Sequence, residues 1–316
     1  MAHGVVSYFN LQRRDCAVTL SRTQIPKFVY IGQGGPLSII PLKSLCDKGI
    51  RPDAVIVSDT SQQPLRLNLL PVRPPRLKDS LAGLADEIGL PVIYWQRGCE
   101  ADIAANLADI SPELVIMSCF PWRIPESLLK IPALGWWNLH PSLLPAYRGP
   151  TPIFWQARAG ETETGISLHQ VIADLDSGAI LGQHAMAWGD RVGRELEIGL
   201  AQQGAKLIEQ ALHALAQNEL QSWTQSKGDA SYQGFPKDLD TCIETAGRAS
   251  AAYRYIRVVG SAYRLWFEIN SQRYDVTAAL EFDDQAVLGC PYQYHNGQLQ
   301  VQFEQGVLTV ACQIMV

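Results

Sequence analysis

Apolar residues in this chain gather into short runs, each closed by a polar, glycine-bearing or proline-bearing turn. The first clear run, KFVYI (27–31), ends in Gly32, Gln33, Gly34 and Gly35, and the LSIIPLKSLCDKG that follows carries helical apolar spacing despite Pro41. AVIVS (54–58) is a second short run, stopped at Asp59. Strand, helix, strand is the signature of a parallel sheet with crossover helices. The alternation continues through a helix at 78–88, a strand at LPVIYW (90–95), a helix from Cys99 to Asp109, a strand at ELVIMSCF (113–120) and a strand at GWWNLH (135–140) cut off by Pro141. Five strand candidates separated by helices predict a doubly wound α/β sheet, in which ligands sit beyond the carboxyl ends of the strands.

The pattern then changes. Leu168 to Ile172 and Ala179 to Met186 read as two strands flanking an LDSG turn, and Arg194 to Leu220 has apolar residues at helical spacing that suit a helix closing the sheet. The polar, glycine-bearing stretch 226–236 reads as a linker. Beyond it a helix at 249–259 gives way to the alternating runs RLWFEI, RYDVTAAL, LQVQF and VLTVA, a small β-rich module. The expected division is therefore an N-terminal extension (1–26), a catalytic domain (27–225), the linker (226–236) and a β-rich C-terminal domain (237–316). VVSYF and CAVTL in the extension suit a short hairpin, to which no function is assigned. The proline-rich segment between Asp59 and Asp79 is expected to be a loop.

Bulk properties narrow the function classes. A chain of 316 residues has length for two domains, and 47% hydrophobic with 18% charged residues is an ordinary soluble composition. A net charge of -5 and a pI near 5.7 argue against gripping DNA through a general basic field. Seven scattered cysteines without CxxC spacing give no reason to expect zinc or a redox pair, and point to a reducing, cytoplasmic setting. The first residues lack a secretory pattern, and no apolar run approaches ~18 residues, so no membrane partner is expected. No metal is expected.

The chemistry concentrates between Gly135 and Gly178. Residues two apart on a strand share a face, so Asn138 and His140 project together from the end of the GWWNLH strand. An amide beside a protonated imidazole can hold negative charge building on a carbonyl oxygen, an oxyanion hole. An aspartate near His140 would favour the charged ring and accept a proton from an attacking amine, directly or through water; Asp176 of the LDSG turn is the candidate. Taken singly, each piece has a bland reading: a strand-end Asn-x-His, and a turn whose glycine permits a left-handed backbone.

Together with the intervening loop, the stretch NLHPSLLPAYRGPTPIFWQARAGETETGISLHQVIADLDSG resembles the 10-formyltetrahydrofolate-dependent formyltransferase family, which includes methionyl-tRNA formyltransferases and sugar-nucleotide N-formyltransferases. The family pattern is Asn-x-His-x-Ser-Leu-Leu-Pro, then Arg-Gly, then an aspartate in a Leu-Asp-[ST]-Gly turn. The resemblance implies a Rossmann-like catalytic domain, a small barrel-like C-terminal domain, and the catalytic trio Asn138, His140 and Asp176. It implies 10-formyltetrahydrofolate as co-substrate beside the FPWRIP loop, with Phe120, Pro121, Trp122, Arg123, Ile124, Leu143, Asp174 and Leu175 as folate-binding candidates. Gly34, Ser142 and Arg148 are expected to shape the loops or meet substrate, Arg148 anchoring its loop or an anionic group. The formyl group would pass directly to an amine, with no covalent enzyme intermediate. His169 reads as a packed polar residue or a wall of the folate pocket, and His184 has no assigned role.

A dinucleotide-binding oxidoreductase or sensor is the rival class, on Gly32, Gly34 and Gly35 with Asp59 ending the next strand. The fingerprint needs glycine at its sixth position, where this chain has Leu37. For the acceptor, the loop cations Arg66, Arg73, Arg76 and Lys78 lie in a lysine-poor, proline-rich segment, and from Lys227 onward seven Lys or Arg face ten Asp or Glu. An acidic module is a poor platform for phosphate backbone. In the tRNA-formylating relatives the linker tyrosine usually continues as Tyr-x-x-Lys, whereas Tyr232 here leads into QGFPKD. The expected acceptor is therefore a small-molecule amine, such as an amino sugar nucleotide or an amino-acid derivative, with initiator methionyl-tRNA as the alternative partner.

Overall fold

A computed structural model describes residues 24–59 and 80–315. The hairpin expected in the extension, and the loop bearing Arg66, Arg73, Arg76 and Lys78, lie outside these residues. In chain order the elements are β1 (Phe28–Gly32), α1 (Pro36–Asp47), β2 (Ala54–Asp59), α2 (Leu81–Glu87), β3 (Val92–Gln96), α3 (Glu100–Ile110), β4 (Leu114–Ser118), α4 (Glu126–Leu129), β5 (Trp136–His140) and α5 (Pro152–Arg158). There follow β6 (Glu163–Gln170), β7 (Ile180–Ala187), α6 (Gly193–Ala216), α7 (Ala249–Val259), β8 (Leu265–Ile269), β9 (Gln272–Asp283), β10 (Tyr292–His295), β11 (Gln298–Gln302) and β12 (Val307–Ile314).

The first sheet runs β3-β2-β1-β4-β5-β6-β7. Its first five strands are parallel, as the alternation with helices requires. The hairpin β6–β7 then joins antiparallel, with Asn138 opposite His169 and His140 opposite Ser167. The expected parallel sheet thus carries an antiparallel hairpin at its edge, with β6 running against β5 and β7 against β6.

Both faces of this sheet are covered. Phe28, Tyr30, Trp137 and Leu139 face α1 and α6, whose apolar stripe is Leu196, Leu200, Ile208 and Leu212. Val29, Ile31, Val115 and Trp136 face α3 and α4, through Ile103, Leu107 and Leu128. Alternation therefore puts Asn138 and His140 on the α3–α4 side with Trp136. Helix α1 tolerates Pro41 by a local substitution. Proline has no N–H to donate to the carbonyl of Leu37, and that carbonyl accepts instead from Ser118 Oγ at 2.6 Å. Ser38 Oγ donates in turn to the Ser118 carbonyl at 2.8 Å, fastening the β1–α1 turn to the end of β4 where the strand order reverses.

The second sheet is antiparallel, in the order β10-β11-β12-β9-β8. It packs on α7, which meets the first sheet's layer through α5: Phe154 lies edge-on to Tyr255 at 5.6 Å and tilted on Tyr263 at 4.7 Å. Arg158 adds hydrogen bonds to the carbonyls of Asp240 (2.6 Å) and Cys242 (2.9 Å) and a 2.7 Å ion pair with Glu244. Among the described residues no helix is long and apolar enough to cross a membrane.

Candidate active site

Asn138 and His140 leave the carboxyl end of β5 and are 8% and 4% exposed. His140 Nε2 lies 2.8 Å from the carbonyl of Tyr147. A carbonyl only accepts, so Nε2 carries the hydrogen, and in the neutral ring Nδ1 is left with its lone pair. That Nδ1 lies 3.7 Å from Oδ2 of Asp176, which is 9% exposed.

His169 completes the group. Its Nδ1 is 2.8 Å from the carbonyl of Gln170, so the neutral ring presents Nε2 as an acceptor, and Asn138 Nδ2 meets it at 3.1 Å. The same Nε2 is 3.5 Å from Asp176 Oδ1. One N–H of the Asn138 amide is thereby spent and the amide is held in one orientation, leaving its second N–H to donate. The sequence reads His169 as a packed polar residue or a wall of the folate pocket; the structure puts it in contact with two members of the trio. The signal lay in the strand pairing, because a histidine directly opposite Asn138 on an antiparallel neighbour must share its face.

The electrostatics run against one expectation. Burial pulls the His140 imidazole below its ordinary value, and the opposing pulls of Asp176 and of the Tyr147 carbonyl do not restore it. The ring is therefore neutral at rest, not the protonated donor anticipated above. Burial also works to raise Asp176, but the facing His140 and His169 and the N–H of Gly149, which donates to Oδ2 at 2.9 Å, outweigh it and hold the carboxyl at about 2. Asp176 is an ionised, nearly dry carboxylate between two imidazoles.

Three loops hold this arrangement. Asp176 itself has the left-handed backbone of its turn, with φ 52°. Gly178 is required for another reason than the one anticipated: a Cβ there would overlap the carbonyl of Gln170. Gln225, 7% exposed and unremarked in the sequence, ties the loops together. Its Nε2 donates to the carbonyls of Asp176 (2.8 Å) and Gly178 (2.7 Å), while its Oε1 accepts from Arg148 Nη2 (2.6 Å) and Nε (3.1 Å). Arg148 thus acts as a loop anchor. The stretch 226–236 is itself stitched to this loop: Arg148 N–H donates to the Ser231 carbonyl at 3.0 Å, Gln233 N–H to the Arg148 carbonyl at 3.0 Å, and Ser231 Oγ accepts from Tyr147 N–H at 2.8 Å. Gly149, at φ 112°, lets the two strands of chain approach, since a Cβ would strike the Gln233 carbonyl.

The remaining candidates divide. Phe120 and Trp122 form an aromatic cluster with Trp95, with centroids 5.1 Å, 5.9 Å and 5.3 Å apart. Pro121 and Arg123 are exposed, Ile124 is buried beneath them, and Arg123 hydrogen-bonds the carbonyl of Ala173, bridging this loop to the one that carries Asp174, Leu175 and Asp176. A cleft of about 270 Å³ opens between them, lined by Arg123, Ile124, Pro125, Glu126 and Ala173. Leu175 is exposed but is not part of this lining, and Asp174 is exposed with its carbonyl accepting from Ser177 Oγ. Leu143 packs instead against Gly165 of β6. Ser142 is fully buried and structural, its Oγ donating to the Ala146 carbonyl at 2.7 Å. Gly34 bridges to Ser80 at the far side of the sheet end. Among the described residues no cluster of His, Cys, Asp and Glu has the makings of a metal site.

Residues 82–191, which contain Asn138, His140, His169 and Asp176, match the family described as formyl transferase. The chain is 33% identical over 214 residues to a methionyl-tRNA formyltransferase of Rhodococcus erythropolis, covering 65% of this chain and 67% of that one. This chain belongs to the formyltransferase family. A methionyl-tRNA formyltransferase of Herpetosiphon aurantiacus is 31% identical over 207 residues, 65% of each chain, so the likeness to these curated formyltransferases spans about two thirds of their length. The formyltransferase fold extends further than the sequence likeness. An N-formyltransferase of Helicobacter canadensis, solved with folinic acid and dTDP-3-aminofucose, superposes with a TM-score of 0.64 at 17% identity over 92% of this chain and all of that one.

Proposed function

We propose that the chain transfers a formyl group from 10-formyltetrahydrofolate to a primary amine, at the site built by Asn138, His140, His169 and Asp176. The observation that carries this reading is the placing of His140 between the Tyr147 carbonyl, 2.8 Å from Nε2, and Asp176, 3.7 Å from Nδ1, with burial favouring the neutral ring. The aromatic cluster and the cleft beside Arg123 and Ala173 fit a flat heteroaromatic ring, and the folate would be held there by Phe120, Trp122, Ile124 and Leu175. Bound folate supplies the formyl carbonyl as the electrophile.

The protein's own groups then divide the work. The free N–H of Asn138 donates to the carbonyl oxygen as negative charge builds on it. The attacking nitrogen becomes positive and sheds a proton, which His140 accepts at Nδ1. The imidazolium so formed stands beside the ionised Asp176 and becomes a second donor to the same oxygen; as the adduct collapses, the carbonyl would re-form, the bond from the formyl carbon to the folate nitrogen would break, and the imidazolium would return its proton to that nitrogen, releasing tetrahydrofolate. His169 keeps the Asn138 amide aimed, and burial of all four side chains strengthens each interaction by excluding water.

For the acceptor we favour a small-molecule amine. The support is the acidic excess after Lys227 and the likeness over nearly the whole chain to an enzyme solved with an amino-sugar nucleotide. The methionyl-tRNA formyltransferase relatives favour the second reading, initiator methionyl-tRNA. Incubation with 10-formyltetrahydrofolate and either charged initiator tRNA or a panel of amino-sugar nucleotides and amino-acid derivatives separates the two. Formylation of a small amine is expected; efficient formylation of the tRNA at physiological salt, with none of the small amines, would reverse the choice.

A further inference from the structure

On the opposite side of the first sheet from Asn138 and His140, a cleft of about 230 Å³ opens where the turn after β7 meets α7 and the end of β9. Its floor is Trp188, 2% exposed, which follows the strand end formed by Glu163 and Ala187. That end lies four residues along β6 from the partner of His140, roughly 14 Å at ~3.4 Å per residue, on the side covered by α6 and α7. The cleft is thus separate from the formyl-transfer site.

Three guanidiniums converge on it: Arg191 from the turn, and Arg254 and Arg257 from α7. Among the described residues none of the three pairs with a carboxylate, and Asp190, the one acid on the lining, forms no ion pair. Two are held by backbone carbonyls: Arg191 Nη1 donates to Ala187 (3.0 Å) and Trp188 (3.3 Å), and Arg254 Nη2 to Gly160 (3.2 Å). Each guanidinium has five N–H donors, so these contacts fix the cations and leave most of their donors unspent. Beside them Arg257 lies 5.5 Å over the Tyr253 ring, and Tyr253 packs at 4.9 Å on Phe282, which is 44% exposed. Preorganised, unneutralised cations repel one another, and a bound anion is what offsets that repulsion.

We propose that this cleft binds a nucleotide, its phosphate gripped by Arg191, Arg254 and Arg257 and its base lying on the exposed edge of Phe282. The chemistry selects the class. Arginine forks match phosphoryl oxygens in pairs, and the neighbouring aromatic surface is sequence-tolerant toward any flat base. The volume falls below the ~300 Å³ lower range of drug-sized pockets, so it takes a phosphoryl group and one ring and leaves the remainder in water.

Isothermal titration of the full chain with adenosine 5′-monophosphate, adenosine and inorganic phosphate tests this directly. The nucleotide should saturate one site at least tenfold more tightly than either half alone, and weaken as salt rises. Arg257→Ala should reduce its affinity at least tenfold, and Arg191→Ala, on an exposed turn whose loss leaves the core intact, should act in the same direction. Formyl transfer by both variants should match the parent. Nucleotide affinity unchanged in both folded variants, adenosine or phosphate binding as tightly as the nucleotide, or no nucleotide binding at millimolar concentration would each overturn the proposal.

Discussion

At the scale of residues, the proposed chemistry rests on where two protons sit. A neutral His140 beside an ionised Asp176 makes the ring the proton acceptor, so His140→Ala and Asp176→Asn are each expected to lower kcat by about 10²–10⁴-fold, with far smaller changes in the KM for folate. Steady-state kinetics on folded variants check this, and turnover near that of the parent would remove the residue from its role. Both groups have folded-state values below their ordinary ones. The unfolded chain therefore binds their protons first, and stability falls with pH in two windows: below about 6.5 for His140, and from about 4 down to about 2 for Asp176. Above those windows both contributions are complete. Urea midpoints from pH 8 to pH 3 should show the upper step in the parent and a smaller one in His140→Asn, where His184, whose value burial also lowers, remains to contribute.

At the scale of elements, most of the architecture was legible as strand and helix alternation, and helix 249–259 was read at its observed bounds. What escaped has physical causes. Helix α5 is short and opens on Pro152 directly after a proline-bracketed loop, so it read as more loop. Strand β6 begins five residues earlier than expected, because Thr164 and Gly165 interrupt its apolar pattern; Thr164 is buried nonetheless, donating to Gln156 Oε1 at 2.7 Å. Within the site, Asn138, His140 and Asp176 stood out by motif. His169 and Gln225 did not, since their importance lies in pairing and loop closure that spacing alone does not encode. Gln225 must donate to two carbonyls while accepting from Arg148. Gln225→Glu keeps the shape but turns an acceptor toward acceptors, and is expected to cost about 1–3 kcal/mol and at least tenfold in kcat, with Gln225→Ala no worse; denaturation and kinetics together test this. The Ser118–Leu37 bond offers a cleaner case. Ser118→Ala strands the Leu37 carbonyl, at a cost of about 1–3 kcal/mol, and adding Pro41→Ala returns the missing helical N–H and recovers part of the loss. A double-mutant cycle without positive coupling would refute the substitution.

At the scale of the whole molecule, a mixed sheet carries the trio while a second antiparallel sheet, bound through α7 and α5, stands behind it. The segment between them does not run free of the site: its Ser231 and Gln233 are hydrogen-bonded to the loop that presents Arg148 and Gly149. Substituting Gly149 by alanine should separate that seam and lower activity at least tenfold while leaving the distant second sheet folded, a contrast that hydrogen exchange resolves segment by segment. The proposed folate-dependent formyl transfer runs through Asn138, His140 and Asp176. Its most direct test is a single-turnover assay of the parent and His140→Ala proteins with 10-formyltetrahydrofolate and the amine panel, following N-formyl product. Product in the parent, with a loss of at least 10²-fold in the variant, is the predicted result; no product on any amine, small or tRNA-borne, or equal rates in the two proteins, would contradict the account.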